Sequence, residues 1–204
     1  MSKLQDLQTL PFCQLINKQF VDSKTNRPNL MKLAKIFLLF MVFSAIQGYA
    51  QNQLTRYPVG NSGCSASFYA QPDPPNMSFS SDSSRMYTMQ STDTEGITCS
   101  LVAVKLSQKL DGDDIDAMLT GYMDFLKVQF GVNHSGGYSK GQTLATHPKA
   151  QGMSDNWSNN KSEISVMGYS DGHFIGILLI FADKGKNMTA KKAEFFKGFR
   201  FPGD

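Results

Sequence analysis

The 204-residue chain is poor in the side chains from which metal and catalytic sites are usually built, with three cysteines, three histidines and one tryptophan. None of the cysteines or histidines has the Cys-x-x-Cys or four-residue His spacing of a metal site. A phosphate-binding loop and the acidic order of an EF-hand are also missing. We therefore expect no metal and no cofactor, and the sequence names no catalytic residue.

Two acidic patterns invite a chemical interpretation. The run from Asp111 to Asp116 precedes an apolar helical pattern, where carboxylates cap the helix and complement its dipole, so capping is favoured over calcium binding. Asp171 and His173 bracket a short turn. Ordinary hairpin chemistry explains that spacing better than an acid–base pair does.

The longest apolar run is too short for a membrane span and is typical of a signal peptide. The segment Met31–Ala50 begins with two lysines near its start, continues with an apolar stretch, and ends with Gly48 and Ala50 at the −3 and −1 positions. A spanning helix needs about 20 apolar residues, roughly twice this run. We expect cleavage between Ala50 and Gln51 and a secreted or periplasmic product; the alternative is an uncleaved anchor.

This cleavage divides the chain and changes its charge. Residues 1–30 are interpreted as a gene-model extension or a long n-region, 31–50 as the signal peptide, 51–62 as a flexible lead-in and 63–204 as one domain. The whole chain carries a net charge of +3, but residues 1–50 hold six basic and two acidic side chains, which leaves 14 and 15. A nearly neutral domain without a basic patch excludes nucleic acid as an expected partner.

The remaining cysteines and the tryptophan each leave two interpretations open. Cys64 and Cys99 form an even pair in an oxidising compartment, so they are either bridged or two separate buried thiols. Trp157 lies in a polar stretch, Ser154–Ser162. An exposed indole there would anchor a partner, whereas a packed indole at a sheet edge would be structural.

Hydrophobic periodicity predicts an α+β domain, with an antiparallel sheet covered by one long and one short helix. The clearest signals are a helix over 113–130 and a hairpin of apolar strands around the turn at residues 170–172. The second hairpin strand is apolar at both alternating sets of positions, which predicts a central strand covered on both faces. The other expected elements are strands at 65–70, 85–90, 97–106 and 142–150, a loop at 78–84, a helix at 189–197 and an edge segment at 198–202.

This order of elements resembles the PsbP-like family of small α/β/α-sandwich domains. The resemblance is carried by Gly63–Phe68 with the following Gln71–Pro72, by the helix Asp113–Phe130, by the hairpin Ile164–Phe181 and by the closing Glu194–Phe201. It covers most of residues 61–202. Members of the family use the fold as a binding platform without shared catalytic residues, so the resemblance implies binding and carries no site across.

Together these observations predict a non-catalytic secreted or periplasmic domain that binds a protein or a cell-envelope component. Stable membrane insertion of the mature chain is not expected. The second hypothesis is an envelope hydrolase, or a small-ligand-binding protein, with a site assembled from distant residues. A concave pocket that gathers polar side chains would distinguish the second hypothesis from the first.

Overall fold

The computed structural model describes residues 53–80 and 82–204, and Gln51–Asp204 forms one compact unit. The proposed signal peptide, the cleavage between Ala50 and Gln51 and the extension over residues 1–30 lie outside the described residues. The α+β expectation is confirmed, since the described part contains an antiparallel sheet, one long helix and one short helix.

Ten strands and two helices are present in the described part of the chain. The helices are α1 (Asp113–Gln129) and α2 (Thr189–Lys197). The strands are β1 (Thr55–Pro58), β2 (Ser65–Phe68), β3 (Asn76–Phe79), β4 (Arg85–Thr92), β5 (Thr98–Lys105), β6 (His134–Ser135), β7 (Ser139–Lys140), β8 (Gln151–Ser158), β9 (Ser162–Ser170) and β10 (Phe174–Asp183).

Eight strands form one sheet in the order β3-β4-β5-β10-β9-β8-β6, with β7 also paired to β8. Each pairing is antiparallel. The prediction of a central second hairpin strand is confirmed, because β10 lies between β5 and β9. Its side chains are buried on both faces, Ile177 on one and Leu178 on the other.

The two faces of this sheet support separate apolar cores. On one face, Ile115, Leu119 and Met123 of α1 pack with the core residues of β8, β9 and β10. On the other face, Phe195 and Phe196 of α2 pack with the β1–β2 hairpin and the opposite side of β5 and β10. The helices thus cover opposite faces. Among the helices of the described residues, α1 contacts β8 and β9 whereas α2 lies mainly on β10 and β2, and Asn156 and Glu163 at one end of β8 and β9 are exposed on the α2 face.

Several predicted elements are displaced for a physical reason. The expected lead-in contains β1, and β3 extends two residues into the expected loop at 78–84; both are short edge or hairpin strands with mostly exposed residues. The expected strand at 142–150 is wrong: this segment is irregular, and the strand follows it as β8. The expected edge segment at 198–202 is reduced to one bridge, between Arg200 and Ser65.

The two cysteines are separate buried thiols and not a bridge, which corrects the disulfide alternative. Cys99 pairs with Ile180 near one end of β5. Cys64 lies near enough to Asp171 for the charge of that carboxylate to act on its thiol, and Asp171 lies beyond the opposite end of β5. Six residues of strand separate these ends, about 20 Å at the rise of an extended chain. Burial raises the pKa of each thiol to about 12.

The start of α1 differs from the capping expectation. Gly112 occupies the N-cap position with a φ of 50°, and no side chain makes a capping hydrogen bond. Asp113, Asp114 and Asp116 nevertheless lie in the first turn. The acidic run therefore acts through its charge on the helix dipole, while glycine supplies the left-handed turn that precedes the helix.

None of the helices in the described residues combines the length and the apolar character that crossing a membrane requires.

Candidate ligand-binding cavity

An open cavity of about 390 Å³ lies where β8 and β9 meet the segment leading into α2. Its volume is in the range of small-molecule pockets, which is about 300–1,000 Å³. Three separated segments of chain form it, and none of them contains a recognisable binding motif. The lining residues are His134, Gly136, Asn156, Trp157, Ser158, Glu163, Ile164, Ser165, Lys186, Asn187, Met188, Thr189 and Lys192.

Strand register explains why polar side chains collect on the sheet side of the cavity. Asn156 pairs with Ser165 and Ser158 pairs with Glu163 across β8 and β9, so these four share one face of the sheet. The intervening pair, Trp157 and Ile164, is buried in the α1 core on the other face. Asn156 and Glu163 are exposed on this face, which neither α1 nor α2 covers at that point.

Two asparagine side chains in the cavity retain their donor groups. The backbone N–H of Thr189 donates to Oδ1 of Asn187 at 3.0 Å. A backbone N–H can only donate, so this bond fixes the amide orientation and leaves the Nδ2 donors of Asn187 for another partner. Ser165 Oγ donates to Oδ1 of Asn156 at 2.8 Å, so the Nδ2 donors of Asn156 are likewise left for another partner.

The charged side chains of the cavity differ in how they are held. Lys186 Nζ donates to the carbonyl oxygen of Glu95 in the β4–β5 turn, at 2.5 Å. In the described part of the chain, no carboxylate lies within ion-pair distance of Lys192 or of the other cavity lysine. Glu163 supplies the one carboxylate of the lining. Of the two lysines, only Lys192 thus keeps an ammonium group without a partner among the described residues, and the lining contains one acid.

Trp157 borders the cavity through its position in β8, but its side chain is buried in the α1 core on the other face of the sheet, with only 2% of its surface exposed. The indole Nε1–H donates to Oδ2 of Asp155 at 2.7 Å. This burial rules out an exposed anchor for a partner, and the alternative of a packed indole is the one found. The physical reason is strand alternation. Met153, Asp155 and Trp157 occupy alternate positions of β8 that face α1, so these three are buried although the surrounding sequence is polar.

Asp155 is the centre of a buried polar network that fastens α1 to the sheet. Its carboxylate accepts hydrogen bonds from Ser135 Oγ at 2.6 Å and from the backbone N–H of Asn156 at 2.7 Å, besides the indole. Lys127 Nζ of α1 lies 3.3 Å from Oδ2. Burial alone would raise the pKa of Asp155, but these donors outweigh it and hold the pKa below its usual value.

The side chains of Asp171 and His147 lie outside the cavity lining and make contacts of their own. Oδ1 of Asp171 accepts the backbone N–H groups of His173 and Phe174 at 2.8 and 2.7 Å, as an Asx turn does. His147 pairs with Asp204 at 2.8 Å, a contact between residues too distant in sequence to be foreseen. In the ranges 53–80 and 82–204 no cluster of three or more His, Cys, Asp or Glu side chains could hold a metal ion.

Sequence reasoning missed most of the cavity. In the sequence, Lys186 and Lys192 belong to a lysine-rich stretch that is typical of a solvated face, and His134 has no histidine or cysteine partner at the spacing of a metal site. The alternation of β8 was the available signal, since Met153, Asp155 and Trp157 mark one face and Asn156 the other. This alternation is hard to recognise in the sequence because one of the buried positions is a carboxylate, Asp155.

Comparison with known proteins adds no assignment: no protein-family model matches the chain, and a search of curated proteins found no match.

Proposed function

We propose that this chain is a non-catalytic binding domain whose cavity receives a polar group of a cell-envelope component. The observation that carries the proposal is the open cavity of about 390 Å³ with polar side chains on its uncovered sheet face. Its size matches a monosaccharide-sized group better than a protein interface, which needs about 800 Å² from each partner. The proposal therefore joins the binding function expected from the sequence to a small-ligand site assembled from distant segments.

The hydrogen bonds inside the cavity favour binding over hydrolysis. Ser165 donates its hydroxyl proton to an asparagine oxygen, and an amide cannot act as the general base that activates a serine. Asn187 likewise spends its oxygen on a backbone N–H. These groups orient donors toward a ligand without forming a nucleophile–base pair.

In this proposal the domain acts outside the cytoplasm, after cleavage between Ala50 and Gln51, and belongs with PsbP-like domains. The family assignment is supported by an antiparallel sheet with helices on opposite faces, a long helix α1 in the middle of the chain and a closing short helix α2. It rests on the order of elements alone.

The test is a titration of the purified, ¹⁵N-labelled protein with a fractionated envelope extract of the cells that produce it. We expect amide shifts at Asn156, Glu163 and Thr189, while the composition of the extract stays constant. Asn156→Trp should abolish these shifts by filling the cavity, whereas Asn160→Trp, an exposed position outside the lining, should leave them. Shifts confined to other surfaces, no shifts, or steady conversion of an extract component would each overturn the proposal.

A further inference from the structure

We infer that the ligand of this cavity is a small polar molecule carrying an oxyanion, a phosphate or a carboxylate, together with hydroxyl groups. The inference rests on the proposed function and specifies its ligand class.

The excess of donors over acceptors is the first argument. The cavity presents the ammonium group of Lys192 and the amide donors of Asn156 and Asn187, whose oxygens are already occupied, while the ammonium of Lys186 is held by the Glu95 carbonyl. An oxyanion accepts several hydrogen bonds and donates none, so it matches such a set. Within the described ranges Lys192 has no carboxylate partner to displace.

The end of α2 in the cavity adds to the positive potential. Thr189, the first residue of this nine-residue helix, belongs to the lining, and the first turn contains no acidic residue. The contrast is α1, which has three carboxylates in its first turn. An anion in the cavity would thus lie close to Lys192 and near a positive helix end whose first turn has no carboxylate to offset it.

Glu163 defines the rest of the ligand. It lies across the β8–β9 ladder from Ser158, and both side chains can accept a hydrogen bond. A carboxylate repels a second anion but accepts protons from hydroxyl groups. The volume of about 390 Å³ exceeds what an isolated phosphate fills. A sugar phosphate or a uronic acid combines the charge and the hydroxyl groups that these residues require.

The experiment measures binding of glucose 1-phosphate, glucuronate, glucose and inorganic phosphate to the purified protein by calorimetry. The amide shifts of Asn156, Glu163 and Thr189 in the ¹⁵N-labelled protein give a second signal. We expect the two charged sugars to bind at least tenfold more tightly than glucose and than inorganic phosphate. One charge-assisted hydrogen bond contributes about 1.5–3 kcal/mol, so Lys192→Gln should weaken the charged sugars about 10- to 100-fold.

Lys197→Gln is the matched control, because it removes the same charge from an exposed position on the same helix outside the cavity. Glu163→Gln should weaken both sugars through their hydroxyl groups and leave phosphate unchanged or tighter. Equal affinity for glucose and glucose 1-phosphate would overturn the oxyanion inference while leaving the cavity as a binding site. Equal affinity for phosphate and glucose 1-phosphate would overturn the role of Glu163. If none of the four compounds binds, the inference fails, and the envelope titration alone decides the proposed function.

Discussion

The buried network around Asp155 leads to a quantitative prediction for Asp155→Asn. The side chain of Asp155 has no exposed surface, and Oδ2 accepts from Ser135 and Trp157 while Lys127 lies 3.3 Å away. Asparagine keeps the shape but replaces one oxygen by an amide donor. If the amide nitrogen takes the place of Oδ2, it faces the donors of Trp157 and Lys127. If it takes the place of Oδ1, it faces the backbone N–H of Asn156.

The cost follows from these contacts. A buried donor left without an acceptor costs about 1–3 kcal/mol, and loss of charge weakens each remaining hydrogen bond by about 1 kcal/mol. Lys127 is one-fifth exposed and keeps Asp124 at 3.4 Å, so the full cost of an unpaired buried charge does not apply. We expect the free energy of unfolding at pH 7 to fall by about 2–4 kcal/mol, measured by urea unfolding followed by circular dichroism.

Asp124→Asn is the control, because it removes the other carboxylate of Lys127 from a largely exposed position. Its cost should stay below about 1 kcal/mol. If Asp155→Asn costs no more than Asp124→Asn, the network does not fasten α1 to the sheet and the reasoning is refuted.

The same network fixes the sign of a pH dependence. The pKa of Asp155 is lower in the folded protein than in the unfolded chain, so the unfolded chain takes up this proton first as the pH falls. The stabilisation is complete above the ordinary aspartate pKa of about 3.9 and is lost as the pH falls through the folded value. The difference in stability between wild type and Asp155→Asn should therefore be constant from pH 7 to about 5 and shrink below about 4. A difference that grows at acid pH would contradict this assignment.

Three further predictions follow, two from burial and close packing and one from the expected signal peptide. Gly176→Ala should destabilise the fold by about 2–4 kcal/mol, because a Cβ there would lie 2.5 Å from the ring of Phe199. Gly121→Ala, in open space on α1, should instead stabilise it by about 0.5–1 kcal/mol, and equal effects in urea unfolding would contradict the packing argument. Cys64 and Cys99 should react with a thiol reagent only after unfolding; a disulfide-linked peptide in the digest would show the bridge instead. N-terminal sequencing of the secreted protein should begin at Gln51, and a start upstream of Met31 would refute the interpretation of residues 1–30.

Elements with a strong apolar period were predictable from the sequence. The helix expected over 113–130 ends one residue earlier, and the helix expected over 189–197 has those bounds. The hairpin of β9 and β10 was recognised because Asp171 and Gly172 provide a turn between two apolar strands. Each of these segments turns its periodic apolar side chains toward a core, so local pattern and tertiary environment agree.

The short strands could not be predicted in the same way. β1 and β3 gain their conformation from pairing with β2 and β4, and their exposed residues carry no alternation. The separation of Cys64 from Cys99 likewise depends on strand register, which the spacing of two residues in sequence does not contain.

The cavity was missed for a related reason, and this reason accounts for its position. α2 has nine residues, about 13 Å of helix, and it contacts β10 and β2 rather than β8 and β9. The ends of β8 and β9 beside the start of α2 carry polar side chains on that face, Asn156, Ser165 and Glu163, whereas Met167 and Tyr169 further along β9 pack into the core there. The polarity that made β8 unlike a strand in the sequence is thus a consequence of the uncovered corner. A short helix over a wide sheet leaves polar positions side by side, and Lys192 of α2 adds the positive charge on which the proposed anionic ligand depends.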